Sequence, residues 1–309
     1  MKVHLGVKAD PIENRYSHQW LFDLMRDIGV HHLQMGTTYH TYVVDDSYFR
    51  ELRSSAEKRG IRISSLFSSR RELVGFATGD PSLEAATRRG WERLIHVASI
   101  VGADSAGSNA LVMMRDQSHL REAAVGTFFR NIKQLLPIAR KAGLKALTTE
   151  PMSSVFEYPT TPDDIREIAA ELAPFLNDNP GSTVPLMICA DISHGVADGD
   201  GKVVHDNWSL FEMEIPWMWE FHFKNTDPIF KTTFGFGPEE QARGIVDLGR
   251  LKSLIHANAA RFPRGEIIGY LEMDGPKLGR DYSDKHLERM LVESLQALKG
   301  VFNEEEKAS

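Results

Sequence analysis

The sequence predicts an α/β fold, a single (β/α)8 TIM barrel, on three observations. Strand-like and helix-like segments alternate eight times along the 309 residues. No second compositional regime interrupts them. Acidic or imidazole side chains recur near the ends of four late strands, where a parallel barrel gathers its active-site residues. The 42% hydrophobic content is enough for the core of one such domain. An open doubly wound sheet is the competing arrangement. Against it, the first strand–helix turn lacks a Gly-rich dinucleotide fingerprint, and there is no Gly-x4-Gly-Lys-Ser/Thr loop.

The elements follow from periodicity and stop signals. Residues 3–7 form a first strand; the segment Met1-Lys-Val-His-Leu-Gly-Val is too short and polar for a signal peptide. A helix over 18–27 ends near Gly29, and a strand covers 30–35. The helix at 46–59 is stopped by Gly60, and the third strand is 61–67. Pro81 opens a long helix to residue 100, with Gly102 beyond it. The fourth strand is 104–108. The next helix, 120–142, carries Phe128, Ile132, Leu135 and Leu136 at helical spacing and closes at Gly143. A strand ends at Glu150, and Pro162 begins a helix that stops before the turn-rich Asn177-Asp-Asn-Pro-Gly. The sixth strand ends at Asp191, and the Gly- and Asp-rich stretch 195–202 reads as a loop. The seventh strand is 217–224, followed by the connection Thr232-Thr-Phe-Gly-Phe-Gly-Pro and a helix over 248–261. The eighth strand ends at Glu272, and a last helix covers 283–298. The barrel domain is expected over 1–302, with a disordered tail at 303–309.

Composition excludes several classes. No run of about 18 apolar residues is present, so no membrane span is expected. The single cysteine, Cys189, rules out an internal disulfide and a Cys-rich zinc site. A net charge of −7 argues against nucleic acid as the main partner. A cytoplasmic enzyme is expected, with homo-oligomerisation left open.

Glu150, Asp191, His222 and Glu272 carry the chemistry. Each sits at or near the end of a short apolar run. Three carboxylates and an imidazole that converge at a barrel mouth need a cation between them, and a divalent metal is the natural one. The set is hard, which suits Mn2+, Mg2+ or Co2+, with Zn2+ allowed. Strand alternation puts Glu220, His222 and Lys224 on one face, and Tyr270 and Glu272 on another. His194, in Asp191-Ile-Ser-His, lies within reach of a ligand held by Asp191.

This set, Glu150, Asp191-x-x-His194, His222 and Glu272, resembles the sugar-phosphate isomerase and epimerase superfamily of TIM barrels. That superfamily includes xylose isomerase-like proteins, ketose 3-epimerases and the apurinic endonucleases. The resemblance covers essentially the whole chain by strand order. It implies that Glu150, Asp191, His222 and Glu272 bind one divalent ion and that His194 contacts substrate. The chain also departs from the ketose 3-epimerase pattern. Glu220 stands where a histidine is frequent, and Lys224 and Lys231 stand where an arginine is expected, which argues against a free, neutral hexulose. The strand ends Leu66-Phe-Ser-Ser-Arg-Arg and Ala106-Gly-Ser-Asn-Ala lack the histidines of a three-zinc endonuclease. The segments Glu150-Pro-Met-Ser-Ser-Val-Phe-Glu-Tyr-Pro-Thr-Thr and Phe221-His-Phe-Lys-Asn-Thr-Asp are similar to tetrulose-phosphate epimerases of erythritol catabolism. That likeness implies interconversion of L- and D-erythrulose 1-phosphate at C3.

Deprotonating a carbon next to a ketone near neutral pH needs a positioned base and a stabiliser for the enediolate. Glu150 and Glu272, on strands across a barrel from each other, are the natural acid–base pair. A phosphate needs cationic donors, and Lys224 is the best placed. Lys8, Arg70 and Arg280 are further substrate-binding candidates, with Arg71, Lys231 and Lys277 behind them. Phe234 and Phe236 are candidates to cover the substrate or to form a dimer contact. Aldose–ketose isomerisation, free-ketose epimerisation and a keto-inositol dehydratase-type lyase remain alternatives on the same residues; a phosphodiester hydrolase is disfavoured.

Overall fold

In a computed structural model, eight parallel strands close into a barrel. The structure describes residues 1–12, 15–273 and 284–302, without the side chains of 284 and 285. The strands are β1 (Lys2–Lys8), β2 (His32–Gly36), β3 (Arg62–Ser68), β4 (Ser105–Ser108), β5 (Ala146–Thr149), β6 (Leu186–Asp191), β7 (Met218–Phe223) and β8 (Glu266–Leu271). They follow one another around the barrel in chain order, and β8 pairs with β1. The helices are α1 (His18–Ile28), α2 (Tyr39–Val43), α3 (Asp46–Glu57), α4 (Pro81–Val101), α5 (Arg121–Lys141), α6 (Pro162–Asp178), α7 (Asn207–Glu214), α8 (Pro238–Arg243), α9 (Leu248–Ala257) and α10 (Asp284–Phe302). The expected tail at 303–309 lies outside the described residues.

The chain's contacts sort into two compact units. One comprises Met1–Gln34, Ser55–Arg62 and the chain from Ala190 onward. In it, β8 pairs with both β1 and β7, and α10 packs on β1, α1 and α9. Gly6 stands opposite Tyr270 in this ladder. A Cβ at Gly6 would run into the Tyr270 ring and lie 2.8 Å from the His32 carbonyl, so only glycine permits that approach. The other unit comprises Met35–Ser54 and Ile63–Cys189. In it, β4 pairs with β3 and β5, and α5 packs against α4, α6 and β5.

The stop signals act as expected. Gly29 and Gly102 close α1 and α4 in the left-handed conformation, with φ of 76° and 78°. Asp80 caps α4 through the backbone N–H groups of Ser82 and Leu83, with Pro81 in the first turn. Three expectations are corrected. α7 was not anticipated; its eight residues are too few to show helical periodicity, although Asp206 caps it by accepting from Ser209 N–H. The helix expected over 248–261 stops at Ala257 and continues as a 3-10 turn over Ala259–Arg261. The loop expected at 195–202 contains Val196–Ala197, which pairs antiparallel with Val203–His205. No helix among the described residues is long and apolar enough to cross a membrane.

Two histidines make the fold acid-sensitive. Burial pushes the His18 imidazole down to about 4 from 6.5. Burial also pushes His32 down to about 4, helped by His4, Arg62 and His31. Both rings therefore stay neutral in the folded chain while the unfolded chain protonates them. Their stabilisation is complete above pH 6.5 and is lost as pH falls from there towards about 4. Both residues are only half-buried. The expected loss at pH 5 is about 1 kcal/mol per ring. Urea midpoints at pH 7 and pH 5 measure it. A His32→Asn chain with an undiminished pH dependence would refute the assignment to His32.

Candidate functional site

The strand register brings the chemistry together. Lys8 and Gln34 are register partners on β1 and β2, and His222 and Tyr270 are partners on β7 and β8. One alternation further, Lys224 and Glu272 come side by side, with Lys224 Nζ 3.1 Å from Glu272 Oε2. Asp191 is the last residue of β6, and its Oδ2 lies 3.7 Å from the same ammonium. Glu150 directly follows β5. Glu150, Asp191, His222 and Glu272 are all buried and offer ligand atoms that lie within 4.8 Å of one another.

These residues fit a divalent cation. The Asp191 Oδ2 and Glu272 Oε2 atoms are buried and accept no hydrogen bond of good geometry. His222 Nε2 contacts Gln34 Oε1 at 2.8 Å. An amide oxygen only accepts, so that contact puts the ring proton on Nε2 and leaves the lone pair on Nδ1. Nδ1 then lies 3.0 Å from Glu272 Oε2. A lone pair and a carboxylate oxygen repel at that distance unless a cation lies between them or the imidazole takes a second proton. Three carboxylates and one imidazole form a hard donor set. Orientation of the histidine through its other nitrogen is a usual feature of metal sites.

Glu272 is the most perturbed of the four. Burial alone would push its carboxyl up, but the Lys224 and Lys8 ammonium groups hold it well below the usual carboxylate range. It is ionised at neutral pH, as a cation ligand must be.

The other expected site residues fall into different places. His194 Nε2 lies 3.4 Å from Asp191 Oδ2, at the edge of the site. Lys224 bridges two ligand carboxylates. Its position is set by the next residue, Asn225, whose buried Oδ1 accepts from the backbone N–H groups of Thr226 and Val246. Lys8 is fully buried, donating to Glu272 Oε1 at 2.6 Å and lying 3.3 Å from Asp10 Oδ2. Arg70 is exposed after β3, and Arg71 donates to Glu157. Arg280 and Lys277 lie outside the described residues. Phe234 and Phe236 are buried, so neither offers an exposed contact surface. Phe230 of the same connection instead sets its ring against Gly195, beside His194, with a left-handed φ of 61°.

Sequence reasoning missed Gln34 and Asn109. Asn109 Nδ2 donates to Glu150 Oε2 at 3.4 Å, and its own Oδ1 is buried without a hydrogen-bond partner. Neither amide is charged, and each resembles a polar residue satisfied inside a core. Only Gln34's place beside Lys8 in the register could have marked it.

The sequence profile of the xylose isomerase-like TIM barrel family matches residues 22–263. The chain belongs to that family. No curated protein matches it by sequence. Solved structures with this family's barrel resemble it over nearly its whole length. A candidate xylose isomerase from Rhodospirillum rubrum superposes with a TM-score of 0.76 at 18% identity, covering 97% of this chain and 99% of that one. A D-psicose 3-epimerase from Clostridium cellulolyticum, solved with D-tagatose, gives 0.70 at 12% identity and 98% and 99% coverage. A candidate 3-DHS dehydratase of petrobactin synthesis from Bacillus anthracis gives 0.67 at 12% identity and 97% and 99% coverage. At these identities the likeness establishes the barrel.

Proposed function

We propose that this chain is a divalent-metal-dependent epimerase of a small ketose. The observation that carries the reading is the buried quartet Glu150, Asp191, His222 and Glu272 at one set of strand ends. Membership of a xylose isomerase-like family and the likeness to a D-psicose 3-epimerase support it. A divalent ion held by these four residues supplies Lewis-acid stabilisation of the charge that develops on the ketone oxygen.

The protein's own groups do the rest. One of the two glutamates, Glu150 or Glu272, removes the proton from the carbon next to the ketone. The other returns a proton to the opposite face, which inverts the centre. Lys8 and Lys224 keep Glu272 ionised for this exchange. His194, beside Asp191, is placed to hydrogen-bond a substrate hydroxyl.

The finer reading is a small phosphorylated ketose, with L-erythrulose 1-phosphate converted to D-erythrulose 1-phosphate. Lys224 supports it, being cationic, mostly buried and adjacent to the ligand set. Charge-assisted hydrogen bonds to a phosphate contribute about 1.5–3 kcal/mol each. Free erythrulose is therefore expected to lose about one to two orders of magnitude in kcat/KM against its 1-phosphate. The experiment compares both with fructose and tagatose in deuterated water. Deuterium at C3 with inversion identifies the epimerase, whereas deuterium elsewhere with an aldose product indicates an aldose–ketose isomerase. Equal activity on the unphosphorylated sugars removes the phosphate from the proposal. The likeness to a dehydratase keeps a lyase as the second reading; loss of water from the substrate, followed by mass, would reveal it.

A further inference from the structure

Lys8 is an expensive residue in its place. An ammonium with no exposed surface must be compensated by carboxylates, and an apolar side chain of similar length would fill the space at lower cost. It is not one of the four ligands, and the proposed proton transfers do not pass through it. Glu272 Oε1 lies 2.6 Å and Asp10 Oδ2 3.3 Å from its ammonium.

The neighbouring ligands share a pattern. Asp191 Oδ1 accepts the Ser193 backbone N–H at 2.8 Å, which leaves Oδ2. His222 Nε2 is taken by Gln34, and Nδ1 faces Glu272 Oε2 at 3.0 Å. Glu272 Oε1 is taken by Lys8, and Oε2 faces His222 Nδ1 at 3.0 Å and Lys224 Nζ at 3.1 Å. In these three residues one atom is held by an outer partner and the other faces the cluster. These partners are not equivalent. The Ser193 donor is main chain and cannot be exchanged. The two nitrogens of one imidazole point apart and cannot both reach one ion. Glu272 differs from these two: with Lys8 removed from Oε1, both of its oxygens can turn to one cation.

We infer that Lys8 is a positioning residue that restricts Glu272 to single-oxygen ligation and so sets which divalent ion the site takes. The inference rests on the metal-site reading above. Ca2+ takes six to eight oxygens and accepts two from one carboxylate, whereas Mg2+ keeps to an octahedron and uses carboxylates sparingly. Mn2+ favours the same six-coordinate oxygen-rich arrangement. A site that gives one atom per residue favours Mg2+ and Mn2+ over Ca2+. Freeing Glu272 Oε1 adds an oxygen and shifts the preference towards Ca2+.

The test is calorimetric titration of the metal-stripped full chain with Mn2+ and with Ca2+. Outer-shell partners of metal ligands typically alter affinity by about 10–100-fold, so Lys8→Met is expected to lower the Mn2+/Ca2+ affinity ratio by at least about tenfold. Ca2+ binding should tighten in absolute terms. Lys8→Arg, which still donates to Oε1, should keep the wild-type ratio. An unchanged ratio in Lys8→Met, or equal weakening of both ions, overturns the inference, since a merely structural lysine would act on both alike. If Lys8→Met does not fold by circular dichroism, the infrared spectrum of the Mn2+-loaded wild-type chain decides. The Glu272 carboxylate bands, identified by their loss in Glu272→Gln, should show the wide stretch separation of single-oxygen ligation; the narrow separation of two-oxygen ligation overturns the proposal. No Mn2+ binding by the wild-type chain would overturn the metal site itself. Mn2+ binding with unaltered selectivity in Lys8→Met overturns the role of Lys8 alone.

Discussion

Glu150→Gln and Glu272→Gln are each expected to lower kcat on the order of 10²–10⁴-fold, the usual contribution of a positioned acid or base. Glutamine keeps the size and one oxygen of glutamate but cannot take up the proton. The two variants should differ in their side effects. Glu272→Gln leaves the fully buried Lys8 without its 2.6 Å carboxylate partner, with Asp10 Oδ2 at 3.3 Å. Removal of one member of a buried ion pair typically costs about 3–5 kcal/mol, so this variant should also lose stability. Glu150 contacts the neutral amide of Asn109, and its replacement should be milder on the fold. The measurement is steady-state turnover beside a denaturant midpoint for each chain. If both variants keep wild-type kcat within about threefold, the two glutamates are not the acid–base pair.

The second large effect concerns the metal. Wild-type protein should hold about one divalent ion per chain, and Asp191→Ala or His222→Ala should hold none under the same loading. An ion present at a hundred times its dissociation constant stabilises the fold by about 2.7 kcal/mol, so metal should raise the wild-type Tm and leave the variants unchanged. Asp191 is the sharper test. Its Oδ1 is engaged by the Ser193 N–H, and its Oδ2, which accepts no hydrogen bond of good geometry, lies 3.4 Å from His194 Nε2 and 3.7 Å from Lys224 Nζ. Elemental analysis and a thermal melt with and without Mn2+ measure both quantities. Wild-type metal content in either variant would place the ion elsewhere.

The barrel was legible because its signals are local. Pro81 and Gly102 bound α4 through backbone preferences that need no tertiary partner. Apolar runs ending at Glu150, Asp191 and Glu272 announced strands whose charged ends meet at one rim. The family match over residues 22–263 agrees with that reading. Short elements were not legible. Helix α7 spans two turns, and the ladder of Val196–Ala197 with Val203–His205 lies inside a Gly- and Asp-rich stretch; neither is long enough to show a period. Phe234 and Phe236 read as a substrate cover or a dimer contact, and only their neighbours show that both are buried.

The four candidate ligands were determined by sequence alone, because a charged residue at the end of a buried strand stands out against its apolar run. Their second atoms were decided by tertiary structure. Lys8 is separated from Glu272 by nearly the whole chain, and Gln34 is similarly remote from His222. No local pattern relates them, since hydrogen-bond partners across a barrel are chosen by register. The closure of β8 onto β1 puts an ammonium on one oxygen of Glu272, and the β1–β2 register puts an amide beside that ammonium. Sequence therefore named the candidate ligand residues, and the closure of the barrel set which of their atoms other side chains engage.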